Sequence, residues 1–281
     1  MTSNRPFSSN SFDTIKSKIS EQTFTIAARY LPPNDETIIN ALNSYSLVIT
    51  GTVGAGKSTV CESLLMIFKT LFPNLNIITY PEFLYVKDED VGEKLLNNKI
   101  SGDISSNTLQ SYILDNWRHI MRMNKPHSGF KLFERCVDDC VICFCNLENK
   151  TNRLSDAQFM NLYEELKKID EEFEIPTYFQ TNDERRQSHF TKLYSNDLNY
   201  NLQKILSIIS GDIINSISNR IIGLSIQPKT SKERILIRSR SGECGYSDDE
   251  IALYSNHYEK LFAMLDRGDR ITRFVDLGTL L

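Results

Sequence analysis

No run of apolar residues in this sequence is long enough to span a bilayer, and the opening stretch MTSNRPFSSNSF lacks the apolar middle of a secretory signal. Positive charge is not in excess either, because the 281 residues carry a formal net charge of -4 at pH 7. The overall basic field that would draw a chain onto nucleic acid or an anionic membrane is therefore missing. Together these absences predict a cytoplasmic protein with no nucleic-acid partner and no membrane partner.

The six cysteines lack the pattern of a small disulfide-stapled domain. Four of them lie close together in the chain, at Cys136, Cys140, Cys143 and Cys145. The spacing of Cys136, Cys140 and Cys143 places their side chains on one buried face of a helix that follows Arg135. We therefore predict reduced core cysteines in preference to a metal site.

The composition is that of an ordinary globular chain, with 40% hydrophobic and 24% charged residues. No internal repeat and no linker divides it. Residues 1–40 are predicted to be an N-terminal extension, disordered in its first dozen Ser- and Asn-rich residues and loosely helical from Phe12 until Pro32 and Pro33. Residues 41–281 are predicted to form the functional domain.

The stretch LVITGTVGAGKST holds the strongest motif, G-x-x-x-x-G-K-[ST]. It follows an apolar run typical of a buried parallel strand and precedes a helical apolar pattern from Val60 to Phe68. In this order a glycine-rich turn directs backbone N–H groups at phosphate oxygens, and a lysine that extends into the solvated loop adds a point charge. The predicted phosphate-binding residues are Gly51, Thr52, Val53, Gly54, Ala55, Gly56, Lys57, Ser58 and Thr59.

Further strands and helices alternate along the chain, which predicts an α/β fold with a parallel sheet and helices on both faces. Strands are predicted around Ile77, in FKLFE up to Glu134, and in RIIGLSI from Arg220 to Ile226, with a helix from Asp156 to Phe173. Residues 176–218 are polar with a helical tendency near their end, and they are predicted to be a variable helical insertion. Ligands of such a sheet bind outside the carboxyl ends of its strands.

Three charged features follow the predicted strands and accompany the glycine-rich loop: Glu82, the pair Glu134–Arg135, and an arginine cluster after Ile226. Phosphoryl transfer requires cationic and metal clamps on the phosphates together with a carboxylate that accepts the proton of the acceptor hydroxyl. The sequence therefore indicates a phosphotransferase. Taken singly, Glu82 fits an exposed strand-end glutamate, Glu134–Arg135 a surface ion pair, and the arginines a solvated helix face.

The ordered set of motifs resembles the deoxynucleoside kinases, including the herpesviral thymidine kinases. The matching stretches are GTVGAGKST, PEF at 81–83, LQSY at 109–112, FERC at 133–136 and RILIRSRSGE at 234–243. The resemblance implies a three-layer P-loop kinase fold with a mobile arginine-rich lid at 234–247, ATP and Mg²⁺ as cofactors, a homodimer, and a role in nucleotide salvage for DNA synthesis. A viral chain of this family would act in the host cytosol.

The resemblance also implies roles for single residues. Glu82 would be the general base toward the 5′-hydroxyl, with Arg135 pairing with it. Ser58 and Glu134 would serve Mg²⁺. The lid residues would close over the transferred phosphate and the sugar, and they are Arg234, Arg238, Arg240 and Glu243.

The nucleoside pocket implied by the resemblance comprises Gln110, Ile113, Trp117 and Cys140. The Gln110 amide, with one donor and one acceptor, would read the pyrimidine edge. Positions matching Trp117 and Cys140 are arginine and aspartate in the purine- and cytosine-accepting branch, so their identities here favour thymidine. One feature departs from the family, because EKLLNNKISGDISSNTLQ lacks the tyrosine that usually contacts the sugar 3′-hydroxyl. Either another group binds the sugar or Glu243 makes more of that contact.

Two other functions are compatible with the loop and the acid–arginine pair. A nucleoside monophosphate kinase such as a thymidylate kinase shares both features, although Glu82 and the Gln110 helix fit a nucleoside acceptor better. A nucleotide-binding module without turnover would need only the loop.

Overall fold

The computed structural model describes residues 12–82, 89–124, 128–173, 175–179, 187–238, 245–269 and 271–275. Helices and a single sheet alternate in this part of the chain. Among these residues, no helix combines the length and the apolar character that a membrane crossing requires.

Five parallel strands form the sheet, in the order β2-β3-β1-β5-β4. The strands are β1 (Ser46–Gly51), β2 (Ile77–Tyr80), β3 (Phe130–Glu134), β4 (His189–Tyr194) and β5 (Asn219–Ser225). β1 lies at the centre, paired with β3 on one side and β5 on the other. The predicted parallel sheet is thus confirmed, and the segments that follow β1, β2, β3 and β5 emerge at the same edge of it.

Alternate side chains of each strand enter two separate cores, one on each face of the sheet. Val48 and Ile221 point into the first core, whereas Leu47, Ile49 and Ile222 point into the second. Both faces are covered by helices, as expected for strands that are continuous apolar runs. The prediction of helices on both faces is confirmed.

The helices are α1 (Phe12–Lys16), α2 (Glu21–Tyr30), α3 (Glu36–Leu42), α4 (Lys57–Leu71), α5 (Glu89–Ser101), α6 (Ser106–Asn124), α7 (Asn146–Lys150), α8 (Asp156–Phe173), α9 (Leu198–Ile214), α10 (Pro228–Arg238), α11 (Asp248–Asp266) and α12 (Ile271–Val275). A π-helix, Asp139–Cys145, precedes α7. The helix predicted over 156–173 has the predicted bounds.

The described part of the N-terminal extension is folded onto the second core. Ile15, Ile19, Ala27 and Leu31 are buried there together with residues of α4 and α9. α2 ends at Tyr30, shortly before the two prolines, as predicted. The residues expected to be disordered, 1–11, lie outside the described chain.

The interpretation of residues 176–218 as a helical insertion is wrong in one respect. His189–Tyr194 forms the edge strand β4, paired in parallel with β5. Among the described residues of this range, 176–179 and 187–218, only Leu198–Ile214 is helical. An edge strand is solvated along one side, so HFTKLY carries polar residues where a central strand would be apolar. That mixed composition conceals the strand in the sequence.

Candidate active site

The loop after β1 is shaped by glycines where other residues would not fit. Gly51 has φ 141°, and a Cβ placed on it would lie 2.3 Å from the carbonyl oxygen of Leu224 in β5. The loop then enters α4, whose first residue is Lys57 and whose N-cap, Gly56, is left-handed with φ 90°. Backbone N–H groups at the start of a helix are a natural anion-binding site. The predicted strand, loop and helix are therefore present in the required order.

Lys57 is buried, with 5% of its surface exposed, and its Nζ donates a hydrogen bond of 2.9 Å to the carbonyl oxygen of Thr52. The expectation of a solvated side chain is therefore wrong. The ammonium folds back across the loop because the carbonyl of Thr52 offers it an acceptor inside the turn. This places a fixed positive charge within the phosphate-binding loop.

Glu82 and Arg135 meet as predicted, with 2.7 Å between Oε1 of Glu82 and Nε of Arg135. Nη1 of the same guanidinium donates to the carbonyl oxygen of Gly51 and to the hydroxyl of Tyr258, each at 3.1 Å. The ring of Phe144 lies 5.3 Å from the guanidinium carbon. A carboxylate paired with an arginine that is itself held on three sides has little freedom to rotate away.

The backbone of Arg135 is in the left-handed region, with φ 80°. Such a conformation costs a non-glycine residue about 1–3 kcal/mol and persists only where its surroundings fix it. Here the N–H of Arg135 bonds to the carbonyl oxygen of Ile49 at 2.9 Å, which extends the ladder between β1 and β3 by one residue. The strained residue turns the guanidinium from the strand end toward Glu82.

Ser58 and Glu134 also meet, with 2.6 Å between Oγ of Ser58 and Oε1 of Glu134. Burial and the neighbouring Glu82 raise the pKa of Glu134, against the opposing effects of Lys57, Ser58 and Arg135. A buried carboxylate beside a second carboxylate gains from a nearby cation. One hydroxyl and one carboxylate are oxygen donors of the kind that hold Mg²⁺ together with nucleotide phosphates, so the residues present fit this ion.

A pocket opens beside Glu82 and Arg135. Its lining residues come from the loop after β1, the segment after β2, α5, α6, the segment after β3, and α11 with the residues just before it. They are Val53, Glu82, Leu96, Lys99, Leu109, Gln110, Ile113, Trp117, Arg135, Cys136, Val137, Asp139, Cys140, Phe144, Tyr246 and Tyr254. Gln110, Ile113, Trp117 and Cys140 are therefore brought together, as the sequence predicts. The base-reading candidates and the candidate general base share one cavity.

Gln110 has a buried oxygen with nothing to bond. The residue is 5% exposed, and its Oε1 has no hydrogen-bond partner within the described chain. A buried amide oxygen left unpaired costs about 1–3 kcal/mol. Native proteins retain such an atom where a ligand or an ordered water completes it. The residue lines the pocket together with Ile113 and Trp117, so this oxygen is available to a ligand or a water there.

The helix after Arg135 differs from the predicted regular helix with one cysteine face. The π-helix has a wider turn than an α-helix, and Asp138 and Asp139 are buried together with the cysteines. Tyr178 donates from its hydroxyl to Asp139 at 2.6 Å and from its backbone N–H to Asp138. These partners allow the two carboxyl groups to be buried, and burial raises the pKa of Asp138 to about 7.

The cysteines themselves agree with the prediction. Five of them are described, and all five are free and buried. Burial raises the pKa of the Cys140 thiol well above its usual value, so the pocket wall there is uncharged. Within the described residues, no group of three or more His, Cys, Asp and Glu side chains is arranged to hold a metal ion.

A polar wall that the sequence analysis missed lies where α5 meets α11. Lys99 donates to Oε1 of Glu148 at 2.9 Å, and the hydroxyl of Tyr254 donates to the same oxygen at 2.8 Å. Burial of Glu148 opposes its ionisation, but the ion pair with Lys99 and these two hydrogen bonds hold its pKa below the ordinary value. Lys99 and Tyr254 line the pocket, so the wall presents an ammonium and a phenol to a ligand.

Two sequence signals point to this wall in retrospect. Lys99 follows buried Leu96 by three residues, which places both on the pocket-facing side of α5. Ser247 and Glu250 form a capping box that starts α11 and fixes the position of Tyr254 one turn later. Neither signal indicates that the two helices meet.

Of the predicted lid residues, one is described in full. Arg234 lies in α10, and its Nη1 is 3.3 Å from the carbonyl oxygen of Gly54 and 3.4 Å from that of Ala55. Arg238 ends α10, and its side chain is outside the described part of the chain, as are Arg240 and Glu243. The roles of these three residues remain predictions.

No protein-family model and no curated protein sequence matches the chain. Among solved structures, the chain is similar to deoxyadenosine kinase from M. mycoides. The structure with bound dATP has a TM-score of 0.48 at 17% identity, over 83% of this chain and 97% of that chain. The structure with bound dCTP has a TM-score of 0.47 at 16% identity, over 83% and 96%. The structure with the products dCMP and dCDP has a TM-score of 0.49 at 17% identity, over 83% and 96%.

Proposed function

We propose that this protein transfers the γ-phosphoryl group of ATP to the 5′-hydroxyl of a deoxynucleoside, with thymidine as the preferred acceptor. The observation that carries the proposal is a single pocket that joins the Arg135-held carboxylate of Glu82 to the unpaired amide oxygen of Gln110. The phosphate-binding loop adjoins this pocket through Val53. Donor site, base and acceptor site are therefore contiguous.

The chain's own residues supply the steps of transfer. Glu82 accepts the proton of the 5′-hydroxyl as the oxygen attacks phosphorus; the new O–P bond forms while the bond from phosphorus to the β-phosphate oxygen breaks, and ADP leaves. Arg135 keeps Glu82 in position, and Lys57 places positive charge on the phosphates. Ser58 and Glu134 would hold Mg²⁺, which neutralises charge on the phosphate oxygens when bound.

The pocket walls support a pyrimidine. Trp117 is 1% exposed, and its ring lies parallel to that of Phe133 at 6.2 Å between centroids, so it cannot swing aside without opening the core. Cys140 donates its S–H to the carbonyl oxygen of Val137 at 3.0 Å and presents no charge to a ligand. The Gln110 amide can pair with O4 and N3–H of thymine together. Neither Trp117 nor Cys140 offers a purine a charged partner.

The nucleoside panel tests this proposal directly. We expect kcat/KM to fall in the order thymidine, deoxycytidine, then deoxyadenosine and deoxyguanosine, and Gln110→Leu to lower thymidine phosphorylation about ten- to a hundred-fold, because it removes the paired amide. The measurement is transfer of labelled γ-phosphate to each nucleoside and to thymidylate.

Gln203→Leu is the matched control, because Gln203 lies in α9 in the other helix layer, where its amide donates to Thr23. This variant should keep the wild-type order. If a purine nucleoside were the best substrate, the pocket assignment would be refuted. Transfer of phosphate to thymidylate alone would show that the protein is a nucleoside monophosphate kinase. Transfer to none of the acceptors would leave a nucleotide-binding module without turnover.

The polar wall of Lys99 and Tyr254 offers groups for the sugar contact that the missing tyrosine leaves open. Lys99 has hydrogen-bond donors beyond the one given to Glu148, and Tyr254 places its hydroxyl beside it. We propose that Lys99 and Tyr254 bind the 3′-hydroxyl of the sugar. Glu243, outside the described residues, is proposed to approach the same hydroxyl from the lid.

Lys99→Met is therefore expected to lower kcat/KM for thymidine about ten-fold or more and to leave kcat/KM for 3′-deoxythymidine nearly unchanged. The reason is that only thymidine has the 3′-hydroxyl, so only thymidine loses a hydrogen bond to the charged Lys99. Arg153→Met is the matched control: Arg153 pairs with the same Glu148 at 3.4 Å but does not line the pocket. Both variants remove a positive charge that pairs with the buried carboxylate of Glu148, so both should lower the thermal midpoint of unfolding. Equal loss of the two substrates in Lys99→Met would contradict the assignment.

A further inference from the structure

Side chains bond to four consecutive carbonyl oxygens of the phosphate-binding loop. Lys57 donates to Thr52 at 2.9 Å, and Ser231 donates from its hydroxyl to Val53 at 2.5 Å. Arg234 lies 3.3 and 3.4 Å from the carbonyls of Gly54 and Ala55. Three of the four carbonyls are thus held by α10, the helix that leads into the lid.

Ser231 is the most buried of these contacts. It is 0% exposed, near the start of α10, and its own N–H bonds to the carbonyl oxygen of Gln227 at 3.0 Å. Loop and helix touch there without an intervening side chain, because a Cβ on Gly54 would lie 2.7 Å from the carbonyl oxygen of Ser231 and 3.1 Å from its Cα. Gly54 has φ 76°, a conformation that glycine adopts freely.

We propose that Ser231 is a positioning residue for the donor phosphates. Within one trans peptide unit the C=O and the N–H point in opposite directions, so fixing the loop carbonyls on α10 turns the N–H groups of the same peptide units toward the bound phosphate. The same bond ties the loop to the helix that carries Arg234. The loop then becomes ordered only when α10 packs against it. This inference rests on the loop being the ATP site of the proposed function.

Binding of ATP without nucleoside tests the inference independently of turnover. Ser231→Ala is expected to raise the Kd of ATP about five- to ten-fold, the worth of one buried hydrogen bond, and to raise the KM for ATP with little change in the Kd of thymidine. Thr230→Ala is the control, because Thr230 is the adjacent hydroxyl and makes no hydrogen bond to the loop within the described chain. It should leave the Kd of ATP unchanged.

A second pair of variants separates this contact from general loss of stability. Gly54→Ala should weaken ATP binding because the added methyl pushes α10 away, whereas Gly102→Ala should not, although its φ of 86° is equally unfavourable, because nothing lies within 4 Å of its Cβ. Once Gly54→Ala has displaced α10, adding Ser231→Ala should cost little more.

Additive effects of the two substitutions, or an unchanged Kd of ATP in Ser231→Ala, would overturn the inference while leaving the kinase assignment intact. A wild-type protein that does not bind ATP would overturn both. The thermal midpoint of each variant, measured beside the Kd, identifies any that fail to fold.

Discussion

Glu82→Gln is expected to lower kcat by about 10² to 10⁴, the usual contribution of a positioned general base. The substitution keeps the shape of the side chain and an oxygen that can face the guanidinium of Arg135. In the wild-type protein, Nε of that guanidinium lies 2.7 Å from Oε1 of Glu82. The substitution removes the ability to take the proton of the 5′-hydroxyl. Because the proposed nucleoside contacts, Gln110 and the apolar walls, lie elsewhere in the pocket, the Kd of thymidine should change little.

The measurement is single-turnover transfer with saturating ATP, together with thymidine binding by calorimetry. Glu165→Gln is a matched control, since Glu165 pairs with Arg118 at the same 2.7 Å on the outer surface of α8. That variant should retain wild-type kcat. If Glu82→Gln instead raised KM and left kcat unchanged, Glu82 would be a binding residue and the base would have to be sought elsewhere.

Lys57→Ala is expected to reduce phosphoryl transfer to a level near background. We expect two causes for the loss: in the proposed function the ammonium neutralises the transferring phosphate, and it also holds the carbonyl oxygen of Thr52 at 2.9 Å. Because Lys57 is buried, the variant should also lose some stability, so its thermal midpoint must be measured with its turnover.

Lys150→Ala is the control for removing a lysine-to-carbonyl hydrogen bond, since Nζ of Lys150 donates to the backbone carbonyl of Phe274 at 3.0 Å, in a part of the chain that does not line the pocket. It should remain active. If Lys57→Ala retained turnover within a few-fold of wild type, the assignment of the loop as the ATP-binding site would be wrong.

The sequence predicts the fold best where burial is uniform. Leu47, Val48 and Ile49 form a continuous apolar run because β1 is covered on both faces, and the helix over 156–173 has a clear apolar stripe. β4 has no such signal. Its Thr191 and Lys192 look solvated, and what makes the segment a strand is a set of backbone hydrogen bonds to β5, which local composition does not encode.

The candidate site, like the fold, is predictable from the sequence only in part. Glu82 with Arg135, and Ser58 with Glu134, are predictable because each follows a strand or loop whose end is fixed by the sheet. The wall of Lys99 and Tyr254 joins residues 155 positions apart on two helices, and no pattern within either helix encodes that meeting. The burial of Asp139 depends on a π-helical turn and on the hydroxyl of Tyr178, which lies after α8, two helices further along the chain.

The docking of α2 on α9 imposes an order on folding. The N–H of Ser20 and the hydroxyl of Thr23 both bond to Oδ1 of Asn199, at 2.8 and 2.9 Å, across 179 and 176 positions of the chain. On a ribosome α2 is made before α9, so Ala27 and Leu31 have no α9 to cover them until that later helix has been synthesised. α2 therefore reaches its native contacts only after α9 has emerged, and its apolar side chains are exposed to chaperones and proteases during that interval.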